Sequence, residues 1–176
     1  MNLEDLTILY AEDENGIKET VSDVLELYVH RVLTASNGEE ALELYDLYKP
    51  SILLLDICMP KKDGLEVLSK IREKDIFTPV IIMTAHTEQK YLLNAVELYI
   101  TKYLVKPFDK DSLVNALNEC VKVMTNKSDE TLKINDEMNY NISTQTISKK
   151  NETLTLNRKE ALLLNLLIKN NPNIVS

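Results

Sequence analysis

The chain is poor in the residues that cross-link proteins, punctuate loops or fill large cores. Its 176 residues include three glycines, two cysteines, two histidines and no tryptophan. Because Cys58 and Cys120 lack the spacing of a disulfide framework, we expect a reducing, cytoplasmic location. The three glycines form no phosphate-cradling loop, which argues against nucleotide binding. No apolar run approaches the roughly 20 residues of a membrane-spanning helix, and the acidic N-terminus differs from a signal peptide.

Charge is distributed unevenly along the chain. Residues 1–124 contain 13 basic and 22 acidic residues, a net charge of −9, whereas residues 125–176 contain 7 and 6, a net charge of +1. The acidic part should repel nucleic acid, so any DNA contact is expected from the C-terminal part. The length allows one domain of ordinary size and a smaller second unit.

Short apolar runs alternate with amphipathic stretches over the first 124 residues. The runs predict five strands, over 7–11, 32–35, 51–56, 80–84 and 103–105. The stretches between and after them predict five helices, over 16–29, 38–47, 64–73, 88–98 and 109–124. Nearly continuous apolar strands are typical of parallel sheets that are covered on both faces. The pattern therefore predicts an α/β fold with a doubly wound, five-stranded parallel sheet.

The remaining residues show a different pattern. Residues 125–133 are polar and lack a clear period, which predicts a linker. Short β-prone pieces follow at 139–142, 146–148 and 153–156, and an apolar helix is predicted over 161–169. Asn157, with Glu160 three residues later, has the spacing of a capping box at the start of this helix. We therefore expect a small β-sheet and a helix in the second unit.

Polar residues stand at the ends of four of the predicted strands. Glu12 and Asp13 follow the first strand, Asp56 ends the third, Thr84 ends the fourth and Lys106 follows the fifth. Each of them alone has an ordinary interpretation as a cap, a turn or a surface residue. In doubly wound sheets, however, sites form beyond the carboxyl ends of the strands, so we expect these residues to share one pocket.

The residue types of this predicted pocket indicate phosphoryl chemistry. Three carboxylates repel one another unless a cation is supplied, and oxygen ligands without His or Cys side chains suit Mg²⁺. Asp56 would be the nucleophile, and the product would be an acyl phosphate. Lys106 would pair with the phosphoryl oxygens, to which Thr84 offers a hydroxyl donor.

These motifs resemble the receiver domain of two-component response regulators. The resemblance covers residues 3–124 and rests on the acidic pair, on Asp56 with its trailing Met59, Pro60, Asp63 and Gly64, on Thr84-Ala85, and on Lys106-Pro107-Phe108. It implies a flavodoxin-like fold and Asp56 as the phosphoacceptor, modified to 4-aspartylphosphate. It also implies Mg²⁺ ligands from Glu12, Asp13, Asp56 and the Cys58 backbone carbonyl. By the same resemblance Thr84 and Tyr103 are switch residues, Lys106 binds phosphate, and the Lys106–Pro107 peptide is cis.

Residues 134–176 resemble the first part of an OmpR/PhoB-type winged-helix output domain. The leucines at 154, 156, 162, 163 and 166, together with Asn157 and Glu160, form this resemblance. It implies a truncated DNA-binding domain that begins with a small antiparallel sheet. Because no recognition helix is predicted within these residues, DNA contact is expected only where the missing helix-turn-helix is present.

The leading interpretation is a response regulator that a cognate sensor histidine kinase phosphorylates and that dimerises to control transcription. The family's usual ion pairs at the dimer contact cannot be assigned, because Thr101 and Lys102 replace the acidic pair expected there. An alternative is a receiver that acts through protein contacts alone, with a vestigial C-terminal region. A phosphohydrolase is disfavoured, because such enzymes carry Asp-x-Asp after the first strand, so we expect no enzyme.

Overall fold

The chain forms two units, which are described here in turn. The structure is a computed structural model that describes residues 2–85, 98–127, 131–135, 137–142, 145–149 and 152–156, with single residues from 160 to 168. The first unit is Met1–Val123 and the second is Met124–Ser176.

Five parallel strands form the sheet of the first unit, in the order β2-β1-β3-β4-β5. The strands are β1 (Thr7–Ala11), β2 (Arg31–Ala35), β3 (Ile52–Asp56), β4 (Val80–Thr84) and β5 (Lys102–Val105). The helices are α1 (Asn15–Glu26), α2 (Gly38–Tyr48), α3 (Gly64–Arg72) and α4 (Lys110–Lys127), and a 3-10 turn covers Leu3–Asp5. The predicted flavodoxin-like sheet is confirmed. The helix predicted over 88–98 lies, apart from Leu98, outside the described residues.

The central strands are buried along their whole length. Every residue of β3 and β4 is buried, as expected for apolar runs that are covered on both faces. Side chains alternate along a strand, so Leu9, Leu53 and Ile82 belong to one face, where they join the core formed with α2 and α3. Tyr10 and Leu54 belong to the opposite face. This packing fixes the point at which each strand ends at the edge of the sheet. It thereby fixes the positions of the residues that follow the strands.

Arg72 ties the end of α3 to the turn that precedes β5. Its guanidinium is buried and donates hydrogen bonds to the carbonyls of Leu98 (2.8 Å), Tyr99 (3.2 Å), Asp75 (3.0 Å) and Thr78 (2.9 Å). Burial lowers the pKa of Arg72, and the nearby Asp75 charge opposes that shift. An arginine stays protonated in proteins, so the four carbonyls remain paired with a charged donor.

The second unit contains an antiparallel sheet of four consecutive strands. These are β6 (Thr131–Asn135), β7 (Met138–Asn141), β8 (Thr146–Lys149) and β9 (Glu152–Thr155), paired in chain order. Tyr140 on β7 is fully buried. Of the helix predicted over 161–169, the described residues Ala161, Leu163, Leu164, Leu167 and Ile168 are helical, and the others lie outside the description.

The segment predicted as a linker, 125–133, contains regular structure at both ends. Helix α4 continues to Lys127, and β6 begins at Thr131. The strand was missed because its apolar residues, Leu132 and Ile134, alternate with polar ones at a period of two, and only they are half-buried. So short an alternation is easily taken for a polar loop.

We predict that Arg72→Ala lowers the free energy of unfolding by about 3 kcal/mol, because it leaves four backbone carbonyls without their charged donor. Lys70→Ala on the same helix is the matched control, since Lys70 is exposed and pairs with Glu73 across one turn. Urea unfolding of both variants provides the measurement. Equal stability of the two variants would show that the Arg72 hydrogen bonds do not stabilise the fold.

Candidate functional site

The carboxyl ends of β1, β3 and β5 bring three carboxylates and one ammonium group together. Ala11 is paired with Leu55, so the next residues, Glu12 and Asp56, emerge side by side at one edge of the sheet. Lys106 follows β5, and its backbone N–H donates to the carbonyl of Thr84 at the end of β4 (2.8 Å). The residues predicted at the strand ends therefore do lie at a common edge.

Lys106 forms ion pairs with two of the three carboxylates. Its Nζ lies 2.6 Å from Glu12 Oε2 and 2.9 Å from Asp56 Oδ2. The Glu12 side chain is fully buried, and those of Asp56 and Lys106 are nearly so. Asp13 is exposed, yet its carboxylate, with those of Glu12 and Asp56, offers oxygens that all lie within 4.8 Å of one another. The Lys106 ammonium thus pairs with two carboxylates of a group of three.

The pKa values of the buried pair reflect this crowding. Burial raises the pKa of Glu12, and the hydrogen bond from Lys106 only partly offsets that effect. Burial by itself would lower the pKa of Lys106, but its hydrogen bonds to Glu12 and Asp56 outweigh burial, and the pKa is raised. The ammonium therefore keeps its charge at neutral pH, and this single positive charge lies among three carboxylates.

The donor set fits a hard divalent metal ion. Carboxylate oxygens are the ligands that Mg²⁺ and similar ions prefer. Glu12 Oε1 is buried, and no group among the described residues donates a hydrogen bond to it. A cation at this point would pair that oxygen and relieve the repulsion among the three carboxylates. Cys58 was predicted to contribute its backbone carbonyl, which remains a prediction; its thiol is exposed and lies outside this group of close ligand atoms.

The two predicted switch residues occupy different surroundings. Thr84 is buried at the end of β4 and borders the pocket through its bond with Lys106. Tyr103 is half-buried on β5, and its ring packs against the core on the face of α2 and α3. Burial raises the pKa of Tyr103, whose hydroxyl has no hydrogen-bond partner in the described part of the chain. The Lys106–Pro107 peptide is cis, as the resemblance implies.

Tyr10 adjoins this site, although the sequence pattern does not predict it. A tyrosine within an apolar strand is normally a core residue, and the one available signal was its position two residues before Glu12, on the same face of β1. Its side chain is fully buried, and its hydroxyl has no hydrogen-bond partner among the residues described.

Gly64 allows the loop after β3 to pass directly beneath Asp56. Its N–H donates to the carbonyl of Ile57 (3.0 Å), and a Cβ added to Gly64 would lie 2.1 Å from the backbone oxygen of Asp56. Asp63 caps α3 by accepting a hydrogen bond from the Glu66 N–H (2.7 Å). The first turn of α3 thus packs closely against the backbone of Asp56.

Comparison with known proteins agrees with this arrangement. Residues 8–118 match the family model of the response regulator receiver domain. The chain belongs to the response regulator family. Receiver domains of this family are the phosphorelay components of two-component systems, and the relatives described next are regulators rather than enzymes.

The related proteins extend beyond the receiver. The probable transcriptional regulator ycf27 of Guillardia theta is 34% identical over 168 residues, which are 92% of this chain and 65% of that protein. The transcriptional regulatory protein DltR of Streptococcus agalactiae is 29% identical over 175 residues, 97% of this chain and 75% of DltR. This response regulator therefore spans about two thirds to three quarters of the length of these relatives.

Solved receiver structures share the fold of the first unit. The N-terminal domain of an uncharacterized protein from Wolinella succinogenes gives a TM-score of 0.65 at 33% identity, covering 69% of this chain and 98% of that one. The chemotaxis response regulator CheY4 of Vibrio cholerae gives 0.61 at 28% identity, covering 66% and 98%. Within the described ranges, no helix of this regulator combines the length and apolar character needed to cross a membrane.

We predict that Gly64→Ala lowers the free energy of unfolding by about 2 kcal/mol, because its methyl group would overlap the backbone of Asp56. Gly16→Ala is the matched control, since Gly16 also lies in the first turn of a helix and has open space around it. It should leave stability unchanged or raise it by up to about 1 kcal/mol. Urea unfolding compares the two, and equal effects would contradict the close approach at Gly64.

Proposed function

We propose that this response regulator accepts a phosphoryl group on Asp56 in a Mg²⁺-dependent reaction and passes the signal to a transcription-regulating output. The observation that carries the proposal is the position of Lys106 Nζ, 2.9 Å from Asp56 Oδ2, inside a group of three carboxylates. The sequence has no glycine-rich loop that would bind a nucleotide. Carboxylates at the ends of the strands therefore fit a site where an aspartate receives a phosphoryl group from another protein.

The transfer is a displacement at phosphorus. One carboxylate oxygen of Asp56 attacks the phosphorus of the donor, an O–P bond forms, and the bond to the leaving group breaks. Lys106 pairs with the phosphoryl oxygens, because its ammonium has three protons and only two are directed to Glu12 and Asp56. A bound Mg²⁺ would neutralise the carboxylates and the incoming phosphoryl oxygens. Glu12, Asp13, Asp56 and the Cys58 carbonyl are its proposed ligands.

Thr84 and Tyr103 are the proposed switch residues. Phosphorylation would replace the single negative charge of the Asp56 carboxylate by a phosphoryl group with about −1.5 to −2 charges at pH 7. The Thr84 hydroxyl would donate a hydrogen bond to the oxygens of that group. The backbone hydrogen bond from Lys106 to Thr84 links the end of β5 to the end of β4. A displacement of either strand end would therefore move the other. Among the described residues no group bonds to the Tyr103 hydroxyl, which supports a side chain that can take more than one arrangement. Converting a mostly inactive population into a mostly active one requires about 5.5 kcal/mol of differential stabilisation.

We further propose that residues 1–124 are the receiver and that residues 134–176 begin a winged-helix output domain. The four-stranded antiparallel sheet supports this assignment. So do the alignments with transcriptional regulators, which cover 92–97% of the chain and so include the second unit. The proposed partners are a cognate sensor histidine kinase and, on activation, a second copy of the regulator. DNA contact requires a helix-turn-helix in addition to the elements of residues 134–176.

We predict that the purified regulator gains one phosphoryl group from acetyl phosphate only when Mg²⁺ is present, and that Asp56→Asn abolishes the gain. Asp63→Asn is the control, because Asp63 caps α3 nearby and asparagine caps equally well. Intact-mass spectrometry at neutral pH detects the added group.

Two results would contradict the proposed function. Labelling that persists in Asp56→Asn would mean that another residue accepts the phosphoryl group. Labelling of wild type that is unaffected by removal of Mg²⁺ with a chelator would remove the metal from the reaction.

A further inference from the structure

Tyr10 on β1 and Glu12, directly after its end, are two buried polar side chains. Both are fully buried, and they point to the same side of the sheet because side chains alternate along a strand. Neither Tyr10 Oη nor Glu12 Oε1 has a hydrogen-bond partner among the residues that the structure describes. Unsatisfied buried groups are uncommon and unfavourable, so two of them on neighbouring side chains require an explanation.

The Tyr10 hydroxyl is close to the carboxylates of the pocket. Burial is the main cause of its raised pKa, and the charges of Glu12 and Asp56 raise it further. A phenol hydroxyl is a hydrogen-bond donor, so Tyr10 can donate to the Glu12 carboxylate.

The two oxygens of Glu12 have different surroundings. Oε2 accepts a hydrogen bond from Lys106 at 2.6 Å, which leaves Oε1 as the oxygen available to other groups. A carboxylate oxygen has two lone pairs, so Oε1 can accept a hydrogen bond from Tyr10 and still coordinate a cation. Carboxylates that bind metals are commonly oriented by hydrogen bonds of this kind.

We propose that Tyr10 is a positioning residue for the metal site: its hydroxyl donates to Glu12 Oε1 and, with Lys106 on Oε2, orients this carboxylate toward a divalent cation. The inference rests on the proposed metal site and adds a residue to it. It assigns a role to a buried hydroxyl that core packing alone does not require, because phenylalanine would fill the same space.

The test compares Mg²⁺ binding by wild type, Tyr10→Phe and Tyr45→Phe. Tyr45 is the matched control, because it is also buried but lies on α2, where its hydroxyl bonds to Asp75 at 2.7 Å. The chain has no tryptophan, so its near-ultraviolet difference spectrum on adding Mg²⁺ reports tyrosine surroundings. We expect Tyr10→Phe to raise the Kd for Mg²⁺ about 10- to 100-fold and to remove the Tyr10 part of the difference spectrum. Tyr45→Phe should keep both.

Each other outcome has a defined meaning. An unchanged Kd in Tyr10→Phe, or a difference spectrum identical to that of wild type, would overturn the role of Tyr10 while leaving the metal site intact. Failure of wild type and Tyr45→Phe to bind Mg²⁺ would instead overturn the metal site, and the role of Tyr10 with it.

Glu12→Asp provides a second reading that does not depend on the folding of Tyr10→Phe. The shorter side chain keeps a carboxylate in the pocket but withdraws it from the hydroxyl. The Tyr10 part of the difference spectrum should then disappear, while Mg²⁺ still binds at higher concentration. A Tyr10 part that persists in Glu12→Asp would contradict the proposed hydrogen bond.

Discussion

The half-buried Lys106 ammonium, held between the buried carboxylates of Glu12 and Asp56, forms the ion pairs on which the site depends. Its short bonds to both carboxylates hold two negative charges together where burial would otherwise separate or neutralise them. Partners in such an ion pair are tolerated away from water only while both remain in place. The parallel sheet supplies that condition, because it ends β1, β3 and β5 at one edge. With the third carboxylate, Asp13, the pocket has more negative than positive charge. This excess of negative charge favours the binding of a divalent cation.

Much of this arrangement was predictable from the residue pattern. The apolar runs of β3 and β4 identify buried parallel strands, and polar residues at the ends of such strands must meet at one edge. Prediction failed where a strand had few apolar residues, and where a side chain bonds to backbone carbonyls. Strand β6 has only two apolar residues, Leu132 and Ile134, in a polar segment. The bonds of Arg72 run to carbonyls, which leave no trace in side-chain patterns. Tyr10 resembles any other core residue until its hydroxyl is seen beside Glu12.

The second unit shows how far the architecture extends beyond the receiver. Its sheet pairs four consecutive strands in chain order. Alignment with longer transcriptional regulators runs through both units. A phosphoacceptor pocket in one unit and an output in the other would divide signal reception from response.

The most direct test of the central claim is a crystal structure of the regulator grown with Mn²⁺, which substitutes for Mg²⁺ at oxygen sites and gives an anomalous signal. We predict one strong anomalous peak within bonding distance of the carboxylates of Glu12, Asp13 and Asp56, with Lys106 still bound to Asp56. Absence of a peak at this edge of the sheet, with the carboxylates placed as they are here, would contradict the account.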